Sequence, residues 1–246
     1  MPRFYLPPAA WLASGTPPVL TGDEARHLAQ VLRIQPGASI CVFDGQGRHT
    51  QAKVLDVSRG RVTLDLGEVR SGDPVIPVIT LAQAIPKGKN MDLIVQKAVE
   101  LGVAVIQPLV TRHTIVHPGE GKSEKWRRTA LEACKQCGQN LLPDIPETLP
   151  LGVWLRTQTA ANSPPILKLI ASLGPTARPL RNVLRQYPLT TQATLLIGPE
   201  GDFSAAESAA ALAAGFLPVS LGSIVLRVET ASLYGLSALR YQFGNV

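Results

Sequence analysis

The sequence predicts an α/β protein in which a small β-rich N-terminal segment precedes a larger domain built around a mostly parallel sheet. Three observations carry this expectation. Apolar and polar residues alternate with period two, between turn residues, up to about residue 72. Beyond that point short apolar strands alternate with helical stretches, the pattern of a parallel sheet covered by helices. Near the C-terminus two glycine-bearing loops each join a strand to a helix, the position where such a sheet binds ligands.

In chain order, Ser39-Ile-Cys-Val-Phe43, Thr50-Gln-Ala-Lys-Val-Leu55 and Arg61-Val-Thr-Leu-Asp-Leu66 read as half-buried strands. Turn signals at Pro36-Gly37, Asp44-Gly45 and Arg59-Gly60 separate them. One short helix is expected over residues 23–32, capped by Thr21 or Asp23. Strands at this spacing suggest a small barrel. Ser71-Gly-Asp-Pro74 is a linker, which divides the chain into domains at 1–72 and 73–246. In the second domain, strands are expected over residues 76–84, 103–109, 165–171, 194–197 and 217–221. Helices are expected over 91–101, 123–138, 204–214 and 230–243. Gly102 and Gly215 stop two of them, and Ser204-Ala-Ala-Glu207 is a capping box.

Composition narrows the class. Of 246 residues, 45% are apolar and 17% charged, a globular balance, and the formal net charge is +6. A basic excess suits a polyanionic partner, because Lys and Arg displace counterions from phosphates. No apolar run approaches the ~20 residues that cross a bilayer, and Met1-Pro-Arg-Phe-Tyr-Leu-Pro-Pro8 lacks the apolar core of a signal peptide. A cytoplasmic protein without membrane contact is expected. Cys134-Lys-Gln-Cys137 resembles half a zinc site, but zinc needs two further ligands and His113 and His117 lie far upstream. The two cysteines stand one helical turn apart, so both are read as packing residues and no metal is expected.

Chemistry concentrates in the two C-terminal loops. Gly198-Pro-Glu-Gly-Asp-Phe-Ser204 follows a buried strand and precedes the capped helix. Its glycines permit close approach or positive φ, and Glu200 has no structural duty in such a turn. Leu221-Gly-Ser-Ile-Val-Leu-Arg-Val-Glu-Thr-Ala231 is the second loop. There Val225 and Leu226 can wall a pocket, while Arg227 and Glu229 either pair with each other or meet a ligand. Together the loops imply a small polar ligand between them. Neither is a dinucleotide fingerprint or a P-loop, and no nucleophilic serine elbow appears. Lys87-Gly-Lys89 and the basic stretch over residues 122–128 are candidate phosphate contacts, with Trp126 either stacking on a base or buried.

These two motifs together resemble the SPOUT superfamily, and more closely the ribosomal RNA small subunit methyltransferase E family. Further matches are Arg3-Phe4, His27-Leu28, Val31-Leu-Arg33, Lys87-Gly-Lys89, Met91-Asp92, Gln96-Lys-Ala-Val-Glu-Leu-Gly-Val103, Arg112 and Glu132-Ala-Cys-Lys-Gln136, so the resemblance spans nearly the whole chain. It implies a PUA-like RNA-binding barrel, a SPOUT domain with a trefoil knot, and a homodimer. It also implies S-adenosylmethionine-dependent methylation of N3 of a specific uridine in 16S rRNA, free or in the small ribosomal subunit. By the same resemblance Leu173, Gly198, Glu200, Gly201, Leu221, Gly222 and Leu226 would hold the cofactor. Arg3, Arg26, Arg33, Lys87, Lys89 and Arg112 would contact RNA. Arg227 would stabilise negative charge on the base, and Glu200 or Glu229 would help remove the N3 proton. The chain departs from the family pattern in reading Arg112-His-Thr-Ile115 where Arg-Ser-Val is usual, and in carrying Gln139 in place of an arginine. Ribose 2′-O-methylation and non-catalytic RNA binding are the competing functions.

Overall fold

The computed structural model describes residues 1–11, 16–58, 60–116, 119, 121–158 and 166–244. Arg59, His117 and Pro165, which entered the sequence argument, lie outside these. The chain divides into two compact units, residues 1–74 with 131–142, and residues 75–130 with 143–246.

The first unit contains β1 (Arg3–Tyr5), β2 (Val19–Thr21), α1 (Gly22–Arg26), β3 (Ser39–Phe43), β4 (Arg48–Ser58), β5 (Arg61–Leu66) and β6 (Arg70–Ser71). Helix α1 runs on through a wider turn over His27–Val31, closed by the Leu32 amide on the His27 carbonyl. Thr21 is its N-cap, although the hydroxyl makes no capping hydrogen bond. The sheet runs in the order β1-β3-β4-β5-β2, with β6 on β4. All its pairings are antiparallel except β1 with β3. Alternate residues of these strands meet in one core: Phe4, Leu6, Leu20, Leu28, Ile40, Val42, Val54, Val62 and Leu64 are all buried.

The unit is completed by residues from far along the chain, which a single cut near residue 72 leaves out. Lys135, only 8% exposed at its side chain, pairs with both Glu24 and Glu132 at 2.7 Å. Burial disfavours its ammonium, yet the two carboxylates hold its pKa above the ordinary value. The other Glu24 oxygen accepts the Tyr5 amide. Arg3 donates to Asn140 Oδ1 at 2.5 Å and to the Gln139 carbonyl, and lies over the Phe43 ring. Backbone bonds from Leu142 to Gly45 and from Gly47 to Asn140 finish the seam. No local pattern in sequence announces contacts of this range.

The second unit contains β7 (Val78–Ala84), α2 (Asn90–Glu100), β8 (Val105–Val110), α3 (Lys122–Cys137, shared with the first unit), β9 (Leu149–Pro150), α4 (Leu151–Thr157), β10 (Leu167–Ala171), β11 (Arg178–Pro179), α5 (Leu180–Leu184), β12 (Gln192–Ile197), α6 (Ala205–Ala213), β13 (Leu217–Ser220) and α7 (Val228–Phe243). Among the described residues its sheet has seven strands in the order β11-β13-β10-β12-β7-β8-β9, all parallel. The central strands β7, β8 and β12 are buried almost end to end, as a sheet covered on both faces requires. Helices α4 and α6 cluster with Ile170, Leu196, Trp154 and Phe216. Helices α2 and α7 pack together, and α7 also packs on β7 and β12. There the approach is close: a methyl group on Gly235 would come within 2.6 Å of Leu195 Cδ2.

Helix α2 ends as the sequence indicates. Gly102 adopts φ +71°, its amide bonds to Val99 and that of Val103 to Ala98, the paired bonds of a Schellman cap. Trp126 is 3% exposed and therefore a core residue, which overturns the base-stacking alternative. Cys134 is buried, and burial pushes its thiol up to about 12, whereas Cys137 is exposed and does not pack. Helices α4 and α5 and the short edge strands were not foreseen, because two to seven residues are too few to show a period.

Near the end of α7, the Arg240 guanidinium donates to the carbonyls of Leu101, Gly102, Val75 and Pro77. Its burial weakens its hold on the proton, but the carbonyl cluster satisfies its donors. Replacing Arg240 by Ala leaves these carbonyls short of a partner and is expected to cost about 2–4 kcal/mol. A lowered urea midpoint for the second unit checks this.

Candidate functional site

Three loops at the carboxyl ends of β10, β12 and β13 surround a cavity of about 460 Å³, within the range of small-ligand sites. Its wall includes Leu173, Gly198, Glu200, Leu221, Gly222 and Leu226, together with Arg227 and Glu229. Eight of the expected cofactor and catalytic residues thus meet in one place. Gly201 does not share that wall. It lines a second cavity of about 540 Å³ with Lys87, Arg112, His113, Thr114, Ile115 and Glu200. Glu200 is the residue common to both.

Of the two duties expected of the glycines in the 198–204 loop, close approach and positive φ, the structure shows the first. Among the described residues, it is Asp202 that takes the positive φ, at +54°, a conformation aspartate tolerates. The turn is closed by the Asp202 amide on Pro199 O, and Asp202 Oδ1 accepts the Phe203 amide. The glycines instead provide room. A Cβ on Gly198 would lie 3.1 Å from the Phe203 ring. One on Gly201 would lie 3.0 Å from His113 Cβ and 3.5 Å from its Nδ1. His113 therefore seats directly against Gly201, and its Nδ1 is 2.9 Å from the Asp202 carbonyl oxygen.

The capping box at α6 has a third member. Glu207 Oε2 accepts the Ser204 amide at 2.9 Å and lies 2.9 Å from the Ser204 hydroxyl oxygen. Its Oε1 accepts the Arg112 amide at 2.8 Å. Burial works against this carboxylate, but the Ser204 and Arg112 amides, the Ser204 hydroxyl and nearby His113 together hold its pKa below the ordinary value. The loop after β8 is fixed from its own side by Thr114, whose hydroxyl accepts the Thr111 amide.

In the 221–227 loop, Gly222 takes φ +143°, which disfavours any side chain. Ile224 and Val225 are 77% and 71% exposed, and Leu173 across the cavity is 66% exposed. Large aliphatic groups left open in a concave site suit a flat apolar ligand group. Arg227 caps α7 and is exposed, and among the described residues it has no carboxylate partner. The Arg227–Glu229 salt bridge is not formed. Glu229 sits in the first turn of α7, where the helix dipole favours its charge, and accepts Asn90 Nδ2 at 3.1 Å. Glu200 Oε1 accepts the Lys87 amide at 2.9 Å.

Asn90, Ser172, Asp202 and Ser220 also line the first cavity. Asn90, Ser172 and Ser220 lie outside the two C-terminal loops, and sequence does not separate Asp202 from an ordinary turn aspartate. Lys89 is exposed at the start of α2 and lines neither cavity. In the first unit Arg26 and Arg33 are exposed, Arg26 beside Asp23, whereas Arg3 is half-buried and bonded to Gln139 and Asn140. Among the described residues, no cluster of three or more His, Cys, Asp and Glu side chains is disposed to hold a metal ion. No described helix is long and apolar enough to cross a membrane.

Residues 74–240 match the RNA methyltransferase domain family, and residues 20–67 match the RNA methyltransferase PUA domain family. Ribosomal RNA small subunit methyltransferase E from Synechocystis sp. is 34% identical over 221 residues, covering 89% of this chain and 71% of that protein. The protein of the same name from Bacillus subtilis is 25% identical over 228 residues, with 91% and 89% covered. Among solved structures, ribosomal RNA small subunit methyltransferase E from Neisseria gonorrhoeae, bound to S-adenosyl methionine, aligns with a TM-score of 0.86 and 33% identity. That alignment covers 99% of this chain and 98% of the other.

Two outcomes are expected from this geometry. Because the Glu207 pKa is depressed when folded, its charge stabilises the protein above the ordinary value of 4.5 and ceases to do so as pH falls through the lower folded value. The stability gap between the protein and its Glu207→Gln variant is therefore expected to close below about pH 4.5 in acid denaturation. Gly201→Ala displaces His113 and is expected to slow turnover about tenfold or more, since small misplacements cost that much, while calorimetry shows cofactor affinity within a few-fold.

Proposed function

The chain belongs to the ribosomal RNA small subunit methyltransferase E family and is an S-adenosylmethionine-dependent rRNA methyltransferase, and we propose that it methylates N3 of one specific uridine in 16S rRNA. The observation that carries this reading is the pair of cavities joined at Glu200. One is shaped for a cofactor. The other, rimmed by Lys87 and Arg112, is open to a base on a phosphate backbone.

The first cavity fits S-adenosylmethionine in its chemistry. Exposed Leu173, Ile224 and Val225 suit an adenine ring, and Glu200, Asp202 and Glu229 suit the positive charges of the sulfonium and ammonium groups. Leu173, Gly198, Leu221, Gly222 and Leu226 would hold the cofactor. The chemistry supplied by the bound cofactor is an electrophilic methyl group on sulfur.

The protein's own part is largely positioning. Uracil N3 bears a proton and lies on the pairing edge, so the target nucleotide must be unpaired and turned into the site. Arg227, exposed and without a carboxylate partner among the described residues, places a guanidinium where negative charge on the base carbonyls can be met. Glu200 and Glu229 keep negative charge at the site, which favours a cationic methyl donor and a proton leaving the base. Lys87, Lys89 and Arg112 would bind phosphate beside the site, and Arg26 and Arg33 would do so on the first unit, an RNA-binding module.

A homodimer belongs to the same reading. Tyr234 and Tyr241 on α7 and Leu93 on α2 are 50%, 89% and 41% exposed, leaving apolar surface on the packed α2–α7 pair. A trefoil knot is also proposed, supported by the chain's passage from β13, beyond β10, to α7 packed on β7 and β12. Action on the small ribosomal subunit would place the protein in the cytoplasm.

Deleting the gene is expected to remove one methyl group from a uracil of 16S rRNA, read by mass spectrometry of digested RNA. A methyl lost from a ribose 2′-oxygen instead would overturn the N3 assignment. Arg227→Ala is expected to lower methyl transfer about 100-fold or more, with cofactor affinity by calorimetry changed only a few-fold.

A further inference from the structure

We propose that His113 is a catalytic residue of this enzyme, the group that takes the proton from uracil N3. The inference rests on the reading above of the second cavity as the base site. Methylation at N3 requires a proton acceptor on the side from which the base arrives. The carboxylates that line the first cavity each accept a hydrogen bond, Glu200 from the Lys87 amide, Glu229 from Asn90 and Asp202 from the Phe203 amide. Imidazole is also intrinsically the stronger base near neutral pH.

Three observations single out His113. It lines the second cavity with Glu200, the residue that cavity shares with the cofactor pocket. Its Nδ1 is 2.9 Å from the Asp202 carbonyl oxygen, which can only accept, so Nδ1 carries a hydrogen. In the neutral ring the lone pair is then on Nε2, the atom a general base needs bare. Finally, the ring is held from several directions. Gly201 leaves no space for a side chain beneath it, and the Arg112 amide is anchored by Glu207 while Thr114 is tied to Thr111. This is the arrangement of a base oriented by a further group.

The step balances simply. The N3–H bond breaks and its proton passes to His113 Nε2. The freed N3 pair forms the new bond to the methyl carbon, whose bond to sulfur breaks with its electrons remaining on sulfur. The imidazolium, beside Glu200 and Glu207, then returns the proton to water. The charged groups around the ring are Glu200 and Asp202 of the 198–204 loop, Glu207 of α6, Arg112 on its own loop and Lys87 before α2.

The test compares the full-length protein with His113→Gln, which keeps a polar side chain without basicity. The substrate is small ribosomal subunits from a strain lacking the gene. Single-turnover methyl transfer is expected to fall about 100-fold, with unchanged thermal melting and S-adenosylhomocysteine affinity. The pH profiles of wild type and variant are expected to differ in shape, because only the wild type carries a side-chain base at this position. Independently of turnover, nitrogen-15 NMR of the ligand-free protein is expected to find the His113 hydrogen on Nδ1. Variant rates within threefold of wild type, parallel pH profiles, or the hydrogen on Nε2 would each overturn the assignment. A wild-type protein that leaves the subunits unmethylated at uracil N3 would instead overturn the broader reading.

Discussion

The site depends on one carboxylate. Glu207 belongs to α6, yet it receives the Ser204 amide on one oxygen and the Arg112 amide on the other. Through it, the loop after β12, which lines the first cavity, and the loop after β8, which brings His113, hold a fixed register. Its hydrogen-bond partners are two amides and a hydroxyl, nearby His113 also favours its charge, and helix α6 adds its own N-terminal field. With the contact of His113 Nδ1 to the Asp202 carbonyl, this joint keeps Glu200 and His113 from drifting apart, and a reaction governed by placement tolerates little drift.

Much of the second unit was legible because a parallel sheet writes itself into sequence plainly. Buried strands such as β12 carry short apolar runs, here Leu195-Leu-Ile197, helices such as α6 carry a capping box and a glycine stop, and both signals are local. The edge of the first unit was not legible. Lys135 reaching Glu24, and Arg3 reaching Asn140, join residues more than a hundred positions apart. A change in composition at residue 72 cannot show them. The same limit hid α4 and α5, whose stability comes from packing rather than from any pattern of their own.

At the site, residue types were easier to read than their duties. The glycines of the 198–204 loop stood out, but the reason for them did not, since a glycine required for space looks the same in sequence as one required for φ. Gly201 is glycine because His113 lies on it, a relation between two loops. Arg227 and Glu229 suggested a salt bridge because they are neighbours in sequence, and Asn90 took that place on Glu229 instead. Asn90 stands between Lys87-Gly-Lys89 and Met91-Asp92, and the lysines drew the attention there.

The composition of the first unit also bears on how the protein is made. A nascent chain leaves the ribosome N-terminus first, and domains commonly fold as they emerge. Here Glu24, Gly45 and Phe4 are synthesised early, but the segment over residues 131–142 that completes their unit comes only after β7, α2 and β8. The first unit must therefore wait, one side unfinished, while part of the second is translated. Its maturation is timed by the passage of α3 out of the exit tunnel rather than by its own length.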